Sequence, residues 1–351
     1  MKRQLPVRKA ILLRRTYEAP AEGRMGKIRL DFNENTSGCS AAARKALARL
    51  TAKQIATYPE YEAPTRKLAR YFRVAPEELL LTNGGDDALR VFFDTFVEPR
   101  TEILICEPTF PMYRYYAEIA GARVKVLGYG KNMEFPFDDA IAALRKKPRL
   151  FFLANPNNPT GTLVRSADVR KLLRAATDTV LVLDEAYAEF SPESAVPSVR
   201  HYPHLFVART FSKAEGMAGL RLGAVIGRRD SLAFLRRAMP PYPVNLAALA
   251  AGVAAVEERR TIERYVRDVK RLRAWLAREL ERRGVRVFPS AANFLLADFG
   301  DSGPSFFQKL ARNDILVRER SHDIGLGYAR ITIGTESELK KLLQILGPAR
   351  T

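Results

Sequence analysis

Four short segments carry side chains whose types and spacing suit chemistry on a small charged molecule. Asn155-Pro156-Asn157-Asn158-Pro159-Thr160-Gly161 follows an apolar run. Its two prolines and its glycine force a sharp turn at the carboxyl end of a strand, where open α/β sheets bind ligands. Residues 180–183 are apolar and end on Asp184, with Glu185, Ala186 and Tyr187 behind it. A carboxylate at the end of a buried strand is costly unless a cation or hydrogen-bond donors meet it, and a protonated ring nitrogen is one candidate. Arg209-Thr210-Phe211-Ser212-Lys213 precedes Gly219-Leu220-Arg221-Leu222-Gly223. The hydroxyls of Thr210 and Ser212 and the guanidinium of Arg221 suit a phosphate, which Arg can grip with two parallel bonds. Lys213 stands among them, and an ordinary lysine, with a pKa of about 10.4, must be desolvated or turned into an imine to do chemistry. Asn83-Gly84-Gly85-Asp86-Asp87 opens a helical stretch, and the N–H groups of such a turn form an anion site. Taken singly, each segment also has a plain reading: a turn, a strand-end cap, a surface lysine, a Gly-Gly bend.

The elements that must position these residues follow from the hydrophobic pattern. Apolar runs at 79–82, 102–106, 123–128, 150–154, 180–183, 205–208 and 222–226 alternate with helical stretches such as 86–97 and 167–175, the latter with Ser166 as its N-cap. Alternation of this kind predicts an α/β fold with a mainly parallel central sheet covered by helices. After Pro240, Pro241 and Pro243 the pattern changes to helices at 246–258 and 262–283, strands at 285–288, 293–297, 315–318 and 329–333, and a final helix at 336–346. The chain therefore divides into an irregular arm (1–30), a large ligand-binding domain (31–243) and a smaller α+β C-terminal domain (244–351).

Composition removes several other classes. No apolar run approaches the roughly 18 residues that span a bilayer, so a cytoplasmic protein without a membrane partner is expected. Two cysteines, Cys39 and Cys106, and three scattered histidines offer neither a disulfide framework nor a metal site. Lys and Arg number 58 against 39 Asp and Glu, a formal net charge of +19. The excess is mixed with acids along solvated helix faces, with no nucleic-acid-binding motif beside it, so no nucleic-acid partner is expected.

Together the four segments resemble the fold-type-I pyridoxal-phosphate-dependent transferases, and most closely the histidinol-phosphate aminotransferase family. The likeness runs from Leu30-Asp31-Phe32-Asn33-Glu34-Asn35 through Tyr58-Pro59, the four segments and Pro108-Thr109-Phe110, and ends at Arg330-Ile331-Thr332-Ile333-Gly334-Thr335. By that resemblance Lys213 carries pyridoxal 5'-phosphate as a Schiff base, and Asp184 pairs with the pyridinium N–H. Asn158 and Tyr187 bond the cofactor 3'-oxygen, and Phe110, in place of the usual tyrosine, stacks on the ring. Gly85, Asp86, Thr210, Ser212 and Arg221 hold its phosphate, and Tyr58 reaches that phosphate from the second subunit of a homodimer. Arg330, Arg318, Asn158 and, in the arm, Tyr17 face the substrate. The implied reaction moves an amino group from L-histidinol phosphate to 2-oxoglutarate. The alternatives are an aromatic or broad amino-acid aminotransferase and a threonine-phosphate decarboxylase. The chain departs from the family pattern at Thr36-Ser37, at Phe110-Pro111 and at Glu215-Gly216, all close to the implied pocket.

Overall fold

The computed structural model describes residues 5–12 and 22–348. In chain order its strands are β1 (Ile28–Leu30), β2 (Leu79–Thr82), β3 (Glu102–Glu107), β4 (Arg123–Gly128), β5 (Leu150–Ala154), β6 (Val180–Asp184), β7 (Leu205–Thr210), β8 (Gly223–Gly227), β9 (Arg286–Val287), β10 (Phe294–Asp298), β11 (Ile315–Glu319) and β12 (Tyr328–Thr332). Strands β2 to β8 form one sheet in the order β2-β8-β7-β6-β5-β3-β4. Its pairs from β4 to β7 are all parallel, and only β8 runs against its neighbours β7 and β2.

The central strands are apolar on both faces because helices cover both faces. Every residue of β5 is buried, and so is every residue of β8. The helix Gly84–Phe96 lays Ala88, Leu89, Val91, Phe92 and Phe93 against the sheet at helical spacing and stops ahead of Pro99. Chain order reverses between β3 and β5, since β3 leads outward to β4 while β5 leads the other way to β6 and β7. A crevice opens at the carboxyl ends of strands flanking such a reversal.

The second sheet has the order β1-β11-β12-β10-β9. The end of the 1–30 segment, expected as irregular arm, is thus its edge strand, with Ile28 opposite Ile315 in a parallel pair. The helix Arg259–Glu281 covers this sheet with a stripe of Ile262, Val269, Leu272, Leu276 and Leu280 and turns its arginines outward, where much of the basic excess is solvated.

Two local readings need correction. The helix expected to begin at Asp86 begins at Gly84, so Gly85 and Asp86 both lie in its first turn. Ser166 is the first residue of its helix rather than the N-cap; the cap position is Arg165, in extended backbone, and the Ser166 N–H is met by the Glu193 carboxylate. A second, distant carboxylate replaces the local hydroxyl.

Candidate active site

A cavity of about 370 Å³ lies between the two sheets. Twelve residues picked out in the sequence line it: Gly85, Asp86, Phe110, Asn158, Asp184, Tyr187, Thr210, Ser212, Lys213, Arg221, Arg318 and Arg330. Tyr58 does not; its side chain is 74% exposed and stacks on Tyr242 at 4.4 Å between ring centroids. Tyr17 lies outside the described residues.

Three strand ends supply the floor. After β5, Asn155 is spent on the loop itself, with Nδ2 donating to the Val164 carbonyl and Oδ1 accepting from the Val164 N–H. Asn157 is likewise tied to Pro108, Thr109 and Thr160. Asn158 alone of the three amides lines the cavity, and its Oδ1 accepts from Arg330. After β6, Asp184 is half-buried between two donors, the Tyr113 hydroxyl at 2.7 Å and the Ala186 N–H at 3.1 Å. Burial raises its pKa above the ordinary carboxylate value, and those two donors, with Lys213, pull it back. After β7, Lys213 is half-buried and donates to the Phe32 carbonyl at 3.0 Å. Burial first, then the positive charge of Arg330, bring its pKa down to about 8, against the pull of Glu34 and Asp86. Near neutrality, part of the population is therefore a free amine.

An anion cradle closes one end. Gly84 has φ 79°, and a Cβ there would fall 2.6 Å from Arg221 Nη2, so only glycine lets the guanidinium lie over the helix start. Asn83 provides no side-chain cap, which leaves the first-turn N–H groups for a ligand. Thr210 and Ser212 share a hydroxyl bond of 3.0 Å beside them, and Arg221 pairs with Asp86 at 2.7 Å.

Four residues of this site escape a reading by local motif. Asn33 donates from Nδ2 to the Tyr187 hydroxyl at 2.9 Å, which frees the Tyr187 proton to point at a ligand. It is held by Thr332 of β12 and by Asn293, the residue just ahead of β10. Glu34 lines the wall, paired with Arg24. Tyr113 sits behind the cavity, stacked on Phe152 and edge-on to Phe110. Arg320 lines the cavity beside Arg318 and Arg330.

Behind Lys213 lies a second buried cluster. Arg209 bonds Glu185 and Glu189, while Glu215, two residues after Lys213, accepts from the Tyr71 hydroxyl at 3.1 Å. One guanidinium faces three buried carboxyls, so one of them keeps its proton. Glu215 is that one, pushed up to about 8 by burial and then by Glu189. Below its ordinary value of about 4.5 the group is neutral in both folded and unfolded chains. Between there and about 8 the unfolded chain ionises while the fold holds the proton, so stability falls as pH rises. Glu215→Gln keeps the shape without the charge, and its gain in melting temperature should be larger at pH 9 than at pH 6. A gain that does not change with pH would refute the assignment of the proton to Glu215.

A desolvated lysine beside an anion cradle fits an aldehyde that carries a phosphate, and pyridoxal phosphate is such a group. Fold and site thus fit a pyridoxal-phosphate-dependent enzyme: the helix start at Gly84 would take its phosphate, Asn158 and Tyr187 would donate to its ring oxygen, and the Asp184 carboxylate would accept from its ring N–H. Residues 25–346 match the sequence profile of aminotransferase class I and II, and the chain belongs to that family. It is 37% identical over 333 residues to the histidinol-phosphate aminotransferase of Symbiobacterium thermophilum, covering 92% of this chain and 90% of that protein. The crystal structure of histidinol-phosphate aminotransferase from Sinorhizobium meliloti in complex with pyridoxal-5'-phosphate superposes with a TM-score of 0.89 over 98% of both chains at 23% identity. The L-threonine-O-3-phosphate decarboxylase of Porphyromonas gingivalis superposes with a TM-score of 0.79 at 25% identity, over 91% of this chain and 98% of that one.

Proposed function

We propose that this aminotransferase moves the amino group of L-histidinol phosphate to 2-oxoglutarate, forming imidazole acetol phosphate and L-glutamate in histidine biosynthesis, and that it works in the cytoplasm. The observation that carries the reading is a second place for an anion. Arg318 and Arg330, register partners on β11 and β12, line the wall contributed by the small sheet, apart from the cradle at Gly84. They would receive the glutamate carboxylate in one half-reaction and the phosphate of the amine in the other. Names carried by relatives 33–37% identical agree with that choice.

When bound, pyridoxal phosphate supplies an aldehyde for the amine and a ring that spreads the electrons left by a broken C–H bond. The chain's own residues do the rest. Gly85 and Asp86 N–H groups, Thr210, Ser212 and Arg221 would hold the phosphate. Phe110 would lie against the ring face. Asp184, whose carboxylate form is favoured by the Tyr113 hydroxyl and the Ala186 N–H against the effect of burial, would hold the proton on the ring nitrogen. Asn158 and Tyr187 would donate to the ring oxygen. Lys213 Nζ would take a proton from the α-carbon of the amine in one half-reaction and deliver one to the α-carbon of the 2-oxo acid in the other.

Incubating the holoenzyme with L-histidinol phosphate and 2-oxoglutarate should yield glutamate. Turnover of aromatic amino acids alone, or carbon dioxide release that needs no oxo acid, would replace this reading with a broad aminotransferase or with the decarboxylase.

The reading includes a homodimer with shared sites. Tyr58 is exposed beside Tyr242, and Tyr61 anchors the same segment by bonding both backbone groups of Val244. A phenol placed on the surface in this way can serve a neighbouring copy. Tyr58→Phe keeps the ring stack but loses the hydroxyl, and it should weaken cofactor retention about tenfold, the worth of one hydrogen bond to a charged group. Equilibrium dialysis that finds wild-type retention would remove Tyr58 from the cofactor site.

A further inference from the structure

Arg320 has no role in the site as so far described, yet it is buried in the cavity wall. It stands two residues after Arg318, so in extended chain both side chains leave the same side of the backbone. Its backbone is pinned, the N–H to the Tyr328 carbonyl at 2.9 Å and the carbonyl by the Ile324 N–H at 2.9 Å. Its guanidinium pairs with Asp323. Three guanidiniums thus converge where a single carboxylate needs one fork.

Burying like charges together is unfavourable unless an anion compensates them. Asp323 neutralises one of the three, while the nearby Asp31 carboxylate is already gripped by Arg24 at 2.7 and 3.0 Å. Arg318 and Arg320 still bear unfavourably on the Arg330 charge, so this end of the cavity keeps an excess of positive charge. A carboxylate brings one negative charge; a phosphate monoester brings up to two and a third acceptor oxygen. Arg330 has both terminal nitrogens engaged, with Asn158 and the Asp31 carbonyl, and its buried Nε has no partner. Alone it cannot satisfy three phosphate oxygens.

We propose that Arg320, held in place by Asp323, is a specificity-determining residue that makes this end of the cavity favour a phosphate dianion over a carboxylate. The proposal rests on the reading of the substrate as a phosphate monoester. Its rival is a merely structural pair in which Arg320 and Asp323 staple the turn before β12.

The test uses holoenzyme and two probes, inorganic phosphate as an inhibitor of the glutamate half-reaction and L-histidinol phosphate as donor. Arg320→Gln should raise the phosphate inhibition constant and the KM for L-histidinol phosphate at least about tenfold while glutamate KM stays within about twofold. Arg320→Lys, which keeps the charge without the fork and leaves the fold under less threat, should show the same selectivity at about threefold. A shift shared equally by phosphate and glutamate, or no shift in either, would overturn the proposal in both variants. Wild-type enzyme that ignores L-histidinol phosphate, yet is inhibited by phosphate through Arg320, would overturn the proposed amine and uphold this role.

Discussion

Lys213→Ala should lower transamination by at least about 10,000-fold while the protein still folds and still binds pyridoxal phosphate. The fold has little to lose there, because Nζ makes a single bond to the Phe32 carbonyl and its charge is disfavoured by burial and by Arg330. The reaction has everything to lose, since no other lysine lines the cavity among the described residues. Borohydride treatment of wild-type holoenzyme should fix the cofactor to one peptide, that containing Lys213, and the variant should yield none. Labelling of another lysine, or retention of more than about 1% of the activity, would show that the amine acts elsewhere.

Asp184→Asn should cost about 1,000-fold in turnover, about 4 kcal/mol of barrier. The amide has the same shape, its oxygen can still accept from the Ala186 N–H and its NH2 can donate to the Tyr113 hydroxyl oxygen, so packing is kept while the charge is removed. A neutral amide cannot keep a ring nitrogen protonated. The graded counterpart is Tyr113→Phe, which deletes one of the two donors that offset burial at Asp184. With one donor gone the Asp184 pKa rises further. Because the carboxylate is the working form, the acid side of the kcat/KM profile should move to higher pH. An unmoved acid limb in Tyr113→Phe, together with near-normal turnover in Asp184→Asn, would assign the ring nitrogen to another partner.

Much of the frame was legible because strands of a parallel sheet are buried on both faces and so appear as unbroken apolar runs. Asp184 and Lys213 stood out because each ends or follows such a run, where a charge is out of place. Asn158 was legible as part of a Pro- and Gly-bracketed turn, although which of three amides faces the cavity depends on bonds to Val164, Thr109 and Pro108. Tyr113 was not legible: on its own helix it is one more aromatic on a buried face, and only the fold sets its hydroxyl against Asp184. Asn33 and Thr332 are partners separated by 299 residues, beyond any local pattern. Arg320 was hidden among 58 basic residues, and its burial, not its type, distinguishes it. The Ser166 cap failed for a related reason, since a local hydroxyl was outcompeted by a carboxylate 27 residues away.

The pairing of Ile28 with Ile315 also constrains how the molecule comes into being. A ribosome delivers β1 long before β11, so this edge of the small sheet waits for all of the intervening chain to emerge. Phe32 and Asn33 follow directly on β1 and are tied to Lys213, Tyr187 and Thr332. Closing so long a loop is entropically costly and slow compared with forming local contacts. The seven-stranded sheet, whose partners lie closer in sequence, can assemble while synthesis continues. The wall that sets the lysine's environment is completed when β1 meets β11, so the catalytic cavity is finished only after β11 has been made.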